Sequence, residues 1–352
     1  MTADPRVLAD GIAANLLHLI VMPTEACNFR CTYCYEDFEH GAMPEPVVEG
    51  LLRLLEHRAP GLDRLELSWF GGEPLAAHRT VVRIMEHVGN LAQVHSDLDV
   101  HSDMTTNGYL LDRPLFERLC RVGVTRYQIS FDGPPGIHDR KRIQANGKPS
   151  FERIWGNLLS AAETDLEFRI MVRLHVDREN ARACEAFLDH MRRDLGGDPR
   201  FPLFLRLLSR WGGSNDEALA VYDEGSGKRV LDRLRDSART RGIPIHEPPE
   251  TGHVCYAARA NSFVIRADGT VGKCTLALRS DHNRVGRLDE EGRMNLSEWA
   301  MAPWMRGLFT GDAGALRCPN RDLSPEATNE PPPVPAAGCE AEVETVTGEP
   351  AV

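Results

Sequence analysis

Over residues 17–207 short apolar runs alternate with amphipathic helical patterns, and this alternation admits few folds. The runs read as strands lie at 17–22, 64–69, 98–106, 125–131, 166–174 and 201–207. Helical periodicity fills the gaps at 45–57, 78–91, 114–122, 151–163 and 179–193. Strand–helix–strand in repetition gives parallel strands joined by crossover helices. Six such strands build either a doubly wound sheet or an incomplete β/α barrel, and periodicity does not separate the two.

After residue 209 the pattern changes. Residues 211–227 carry Gly-Gly, Asn-Asp and Gly-Ser-Gly and read as a linker or mobile loop. A helix is expected over 229–241. The apolar stretch 261–274 is broken by Asp268-Gly269, a hairpin signal that suits a type I′ turn with φ > 0 at both central positions. The tail 323–352 has six prolines, six glutamates, no Lys or Arg and no aromatic residue, and is expected to be disordered. The expected divisions are an N-terminal extension (1–16), the βα core (17–210), a linker with a helix (211–250), a small cysteine-bearing unit (251–322) and the tail.

Charge and composition exclude several classes. Against 41 Lys and Arg stand 52 Asp and Glu, a net charge of −11. Such a chain is poorly suited to gripping a phosphate backbone, so no nucleic-acid partner is expected. The longest apolar runs fall far short of the ~20 residues of a membrane span, and the polar start MTADPRVLAD is not a secretory signal. Nine cysteines in 352 residues are too few for a disulfide scaffold and read as reduced thiols or metal ligands in the cytoplasm.

Chemistry concentrates in Cys27-Asn-Phe-Arg-Cys31-Thr-Tyr-Cys34, just after the first strand. Active-site loops of β/α folds sit at that end of a strand. Three thiolates on a 4Fe-4S cubane leave one iron without a protein ligand, whereas a structural zinc takes four. The spacing also fits one helix face or three ligands of a zinc site with a distant fourth. Asn28, Arg30 and Thr32 argue against a buried apolar helix face.

C-x3-C-x2-C with an aromatic residue before the last cysteine resembles the signature of radical S-adenosylmethionine (SAM) enzymes. Further motifs follow in the family's order: Trp69-Phe-Gly71-Gly72-Glu73-Pro74, Thr106-Asn107-Gly108, Ser130-Phe-Asp132-Gly133-Pro134 and His138-Asp-Arg-Lys-Arg142. The resemblance spans about residues 17–207. It implies a partial (β/α)6 TIM-like barrel with a 4Fe-4S cluster on Cys27, Cys31 and Cys34. SAM would chelate the open iron and, after one-electron reduction, release a 5′-deoxyadenosyl radical that abstracts hydrogen from the substrate. Gly71 and Gly72 would let backbone approach the methionyl amine, and Glu73 would accept its hydrogen bonds. Arg142 would pair with the methionyl carboxylate, with Ser130 beside it. Tyr33 would pack near the adenine. On β alternation His101, Asp103, Thr105 and Asn107 share one face of the third strand, and Asn107 is the one placed to reach SAM.

Cys255, Cys274, Cys318 and Cys339 follow the barrel. C-x13-G-x4-C resembles the opening of the family's SPASM and twitch extensions, which implies one auxiliary 4Fe-4S cluster, with Cys318 as third ligand and Cys339 as a candidate fourth. Cys120 and Cys184 lie in helical patterns and read as core residues. The extension points to modification of a ribosomally made peptide. A small-metabolite dehydrogenase or epimerase is the second reading, and a non-enzymatic iron–sulfur or zinc redox protein the third. Anaerobic sulfatase-maturing enzymes carry an Asp after the hairpin cysteine. This chain has Thr275 there, which counts against that activity. Only about 16 residues precede the first strand, so a separate leader-recognition protein is expected beside an electron donor such as flavodoxin or ferredoxin.

Overall fold

The computed structural model describes residues 5–36, 38–247 and 253–323. Its core alternates strands and helices: α1 (Pro5–Ile12), β1 (Leu16–Val21), α2 (Glu45–Arg58), β2 (Arg64–Trp69), α3 (His78–Val94), β3 (Asp99–Thr106), α4 (Arg113–Arg121), β4 (Arg126–Phe131), α5 (Pro135–Lys141), α6 (Phe151–Ala162), β5 (Arg169–Val176), α7 (Cys184–Leu195) and β6 (Leu203–Leu207). Strands β1 to β6 lie side by side in chain order, every pair parallel. This is the partial barrel the alternation allowed, and the doubly wound alternative falls because the strand order never reverses.

The remaining elements are α8 (Glu224–Thr240), β7 (Ser262–Ile265), β8 (Thr270–Gly272), β9 (Gly286–Leu288), β10 (Met294–Leu296), α9 (Glu298–Thr310) and α10 (Ala313–Arg317). Strand β7 pairs in parallel with β1, His18 opposite Ser262 and Val21 opposite Ile265. β8, β9 and β10 then continue antiparallel, so the cysteine-bearing unit extends the barrel sheet to ten strands. β1 therefore lies inside the sheet and all six of its residues are buried, which explains its unbroken apolar run.

Side-chain alternation sorts the core. On β2, Leu65, Leu67 and Trp69 are buried among the helices, while Glu66 and Ser68 turn to the lumen. Val47, Val48, Leu51, Leu52, Leu54 and Leu55 form the buried stripe of α2. The lumen face is polar: Ser68 donates to Asp103 at 2.7 Å, and His18 joins Ser68 and Ser262, each at 3.0 Å.

Several local expectations change. α7 starts at Cys184, five residues late. The Asp177 carboxylate accepts from Glu179 and Asn180 backbone N–H groups, and Asn180 caps the carbonyls of Asp132 and His175. These side-chain bonds compete with helix formation. α5 and α1 are helices the periodicity did not show; both are short, and α5 opens on Pro135. The 266–270 turn is not type I′, since only Gly269 has positive φ (86°). Arg266 N–H donates to Thr270 O and Gly269 N–H to Arg266 O, a three-residue loop with glycine in the left-handed position. Residues 211–223 are no free linker: Asn215 donates to Thr32 O at 3.1 Å, and a Cβ on Gly213 would stand 2.6 Å from Cys34 O. The tail beyond residue 323 lies outside the described residues.

Candidate active site

The chain leaves β1 into a long loop that carries Cys27, Cys31 and Cys34. This loop is pinned to the segment after α5. Arg30 N–H donates to Ile143 O (2.7 Å), Thr32 N–H to Lys141 O (2.9 Å) and Ala145 N–H to Asn28 O (2.8 Å). The two sequence motifs, joined across 109 to 117 residues, thus share one backbone ladder at the barrel mouth. All three thiols are half-buried. Burial pushes Cys27 and Cys34 up to about 12 and raises Cys31 as well. Such thiols ionise only against a strong local positive charge, which a metal centre provides. Among the described residues no three His, Cys, Asp or Glu side chains converge on a single ion. A cubane asks for something different, since each thiolate binds its own iron.

The Gly-Gly-Glu turn sits against the same loop. Gly71 has φ of 93°, and its Cβ would meet Thr24 O at 2.5 Å. A Cβ on Gly72 would meet Glu25 O at 2.4 Å and Ala26 O at 2.5 Å. Here the close approach is made by the protein's own backbone on its way to Cys27. Glu73 is fully buried. Its Oε1 accepts from Leu75 N–H (3.0 Å) and Thr106 Oγ1 (2.6 Å), and its Oε2 from Asn107 N–H (2.7 Å). A carboxylate has about four acceptor sites, so one remains for a ligand donor. Asn107 Nδ2 donates to Asn28 Oδ1 at 2.7 Å, tying β3 to the cysteine loop.

Tyr33 is buried, and its hydroxyl is a hub. It donates to Asp132 Oδ2 (2.7 Å), accepts from Arg142 Nη1 (2.8 Å) and lies 3.1 Å from His175 Nδ1. Burial alone would raise the Asp132 pKa, but His175 and Arg142 hold it below the usual range. Burial and neighbouring cations depress His175 to about 4. Arg142 Nε is buried without a partner among the described residues, which suits an incoming anion. Ser130 is buried on β4 beside Arg173 of β5 and makes no hydrogen bond to Arg142. His101 stands at the rim, paired with Asp99 at 2.8 Å. Sequence reasoning gave no role to Asp132, His175 or Glu25. A signal was present, since each is polar at or just beyond the C-terminal end of a strand.

Cys255, Cys274 and Cys318 all lie in the C-terminal unit. Cys255 N–H donates to Leu316 O at 2.9 Å, two residues before Cys318. Burial pushes Cys255 up to about 11. Cys339 lies outside the described residues. Cys184 is buried and Cys120 half-buried, both packed with the core. Thr275 and Tyr256 hydroxyls meet at 2.7 Å, and the Tyr256 ring faces His18 at 6.1 Å. No helix among the described residues is long and apolar enough to cross a membrane.

The site is thus a three-cysteine loop at the mouth of a parallel half-barrel, braced by the Gly-Gly-Glu turn and the segment after α5. Residues 21–189 match the sequence model of the radical SAM superfamily, so this stretch of the chain carries a radical SAM domain. The GTP 3′,8-cyclase of Trichormus variabilis (strain ATCC 29413 / PCC 7937) is 26% identical over 301 residues, 77% of this chain and 83% of that protein. Among solved structures, native anSMEcpe with bound AdoMet and Cp18Cys peptide superposes with a TM-score of 0.62 at 19% identity, over 82% of this chain and 80% of the other. Streptococcus suis SuiB bound to precursor peptide SuiA gives 0.61 at 14% identity, over 87% and 69%. At these identities the structures show a shared fold.

Proposed function

We propose that this enzyme modifies a ribosomally made peptide. The observation that carries this reading is the cysteine-bearing hairpin unit, with Cys255, Cys274 and Cys318 in its chain, that extends the barrel sheet beside β1. That unit is the type of extension on which peptide modification was expected, and both solved neighbours hold peptides. Cys27, Cys31 and Cys34 would hold the SAM-binding 4Fe-4S cluster, and Cys255, Cys274 and Cys318 one auxiliary cluster, with Cys339 as the candidate fourth ligand. When bound, cluster and SAM supply the electron and the 5′-deoxyadenosyl radical.

The chain's own residues position and shield. Glu73 offers its remaining acceptor site to the methionyl amine, and Arg142 offers Nε to the carboxylate. Asn107 and Ser130 flank this space, with Gly71 and Gly72 keeping the turn against the cysteine loop. Tyr33 anchors Arg142 and Asp132 from beneath, while its ring edge meets His175 at 5.2 Å. Electrons come from a flavodoxin- or ferredoxin-type donor, and a separate leader-recognition protein presents the substrate, in the reducing cytoplasm that exposed thiols require.

The test is anaerobic co-expression with the short reading frames that flank the gene, followed by peptide mass spectrometry and a 5′-deoxyadenosine assay. A SAM-dependent mass shift in one peptide is the expected result. The relationship to GTP 3′,8-cyclases over most of the chain favours a small metabolite as the second reading. Deoxyadenosine stimulated by GTP or another metabolite, with every peptide unchanged, would replace the first reading by the second.

A further inference from the structure

Two cations on the lumen face, half-buried Arg173 and exposed Arg206, have no acid partner among the described residues. Other buried cations have partners: Arg266 is held by Glu25, Lys141 by Asp177 and Glu179, and Arg142 by Tyr33 next to Asp132. Arg173 differs. It stands on β5 between Ser130 of β4 and Phe204 of β6, so its side chain shares the lumen face. Its Nε is buried and has no hydrogen-bond partner among the described residues. Its guanidinium lies 5.9 Å from the Trp211 ring centre, and that ring meets Tyr35 edge-on at 5.7 Å.

Arg206 sits on the same face of β6, opposite His175. After burial, the strongest influences on Arg173 come from the cation Arg206, the phenols of Tyr33 and Tyr35, and the cation Arg142. Burial, then the charge of Arg206, lowers Arg173 to about 10. Burial alone lowers Arg206, and no acid pairs with either arginine among the described residues. Arg206 also lines a groove of about 500 Å³ with Phe204, Tyr222 and Leu231, so it can be reached from outside the lumen. An unpaired guanidinium in a low-dielectric wall is costly, and a planar fork restrained by an aromatic ring matches an oxyanion.

We propose that Arg173, with Arg206 beside it, receives an oxyanion carried by the substrate, a carboxylate or a phosphate. This rests on the reading that the lumen takes the substrate. It adds a charge requirement: the peptide presents an acidic side chain or chain terminus next to the modified position, and a metabolite presents a phosphate or carboxylate.

The test uses anaerobically reconstituted enzyme and the variants Arg173→Gln, Arg173→Lys and Arg206→Gln. Glutarate and pyrophosphate are the probes, followed by tryptophan fluorescence, with Trp211→Phe identifying the signal. SAM affinity is measured by equilibrium dialysis, and dithionite-driven deoxyadenosine release in parallel. The wild type should bind at least one probe, and Arg173→Gln should weaken it by about tenfold or more, with Arg173→Lys in between. SAM affinity should stay within about threefold of wild type, roughly 0.6 kcal/mol. Preference for glutarate identifies a carboxylate substrate, and preference for pyrophosphate a phosphate. Wild type that binds neither probe would overturn the proposal. So would Arg173→Gln that loses SAM binding while keeping the probe, because the cation would then serve the methionyl carboxylate. Wild type that releases no deoxyadenosine would instead overturn the SAM-cleaving reading, whatever the probes do.

Discussion

Glu25 and Arg266 form a buried two-point ion pair, Nε to Oε1 at 3.0 Å and Nη2 to Oε2 at 2.6 Å. Glu25 lies two residues before Cys27, and Arg266 opens the turn that leads to Cys274. Arg266 also donates to Leu278 O at 3.0 Å. One side-chain pair therefore joins the loop of the first cysteine set to the hairpin of the second. Removing one partner leaves a buried charge without compensation, at a cost of about 3–5 kcal/mol. Glu25→Ala should lose most of that in denaturant unfolding, and Glu25→Met with Arg266→Met should lose less. Equal loss in the single and double variants would mean the pair does not act as a unit.

The backbone at Gly72 leaves no room for a methyl group against Glu25 O and Ala26 O. Gly72→Ala should displace the loop ahead of Cys27 and reduce both iron content and deoxyadenosine formation, the latter about tenfold or more. Gly89→Ala, with open space around its Cβ, should leave both unchanged. Unaltered activity in Gly72→Ala would show that the loop can move aside.

Iron counting separates the two cysteine sets. Wild type should carry about eight irons per chain, from two cubanes. Cys31→Ala should keep the fold and about four irons, and abolish deoxyadenosine. Cys255→Ala or Cys318→Ala should also leave about four, with deoxyadenosine release retained. About four irons in wild type would mean that the C-terminal thiols form no cluster.

Tyr33→Phe removes the hydroxyl shared by Asp132, Arg142 and His175. Leaving those buried groups short of a partner should cost about 1–3 kcal/mol in stability. SAM affinity should fall with it, because Arg142 loses its anchor. Dialysis with labelled SAM, beside a denaturation curve, reads both.

Three buried histidines give the fold a defined acid sensitivity. Burial first, and nearby cations after it, lower His18 and His175 to about 4 and His138 to about 3. In the unfolded chain each titrates near 6.5, so between about 4 and 6.5 the unfolded state binds more protons. Stability should therefore fall as pH drops through that window, by up to about 1.4 kcal/mol per pH unit for each histidine. Urea midpoints at about pH 7.5, 6.5 and 5.5 measure the slope. His138 lies between the rings of Phe131 and Phe151 with both nitrogens unpaired, so His138→Phe should flatten it. A slope that stays the same would remove His138 from the account.

Local patterning was enough to place the barrel strands, because each strand's apolar face and each helix's stripe are set by periods of 2 and 3.6 residues that any chain must obey. The triplet Cys27, Cys31 and Cys34, the glycine pair and Glu73 were equally legible, since their chemistry is compact in sequence. What lay beyond reach was long-range. Strand β7 gives no sign that it will pair with β1, some 240 residues earlier, and the partnership of Glu25 with Arg266 spans 241 positions. Tyr33 reads locally as an aromatic beside a cysteine. Only the folded chain brings Asp132, Arg142 and His175 to its hydroxyl, over separations of 99, 109 and 142 residues. The unpaired charge of Arg173 is likewise invisible in sequence, where the acids at Asp177 and Glu179 stand near it. Tertiary structure spends those acids on Lys141 and turns Arg173 into the lumen. Which donor meets which acceptor is a property of space, and a sequence states only who is available.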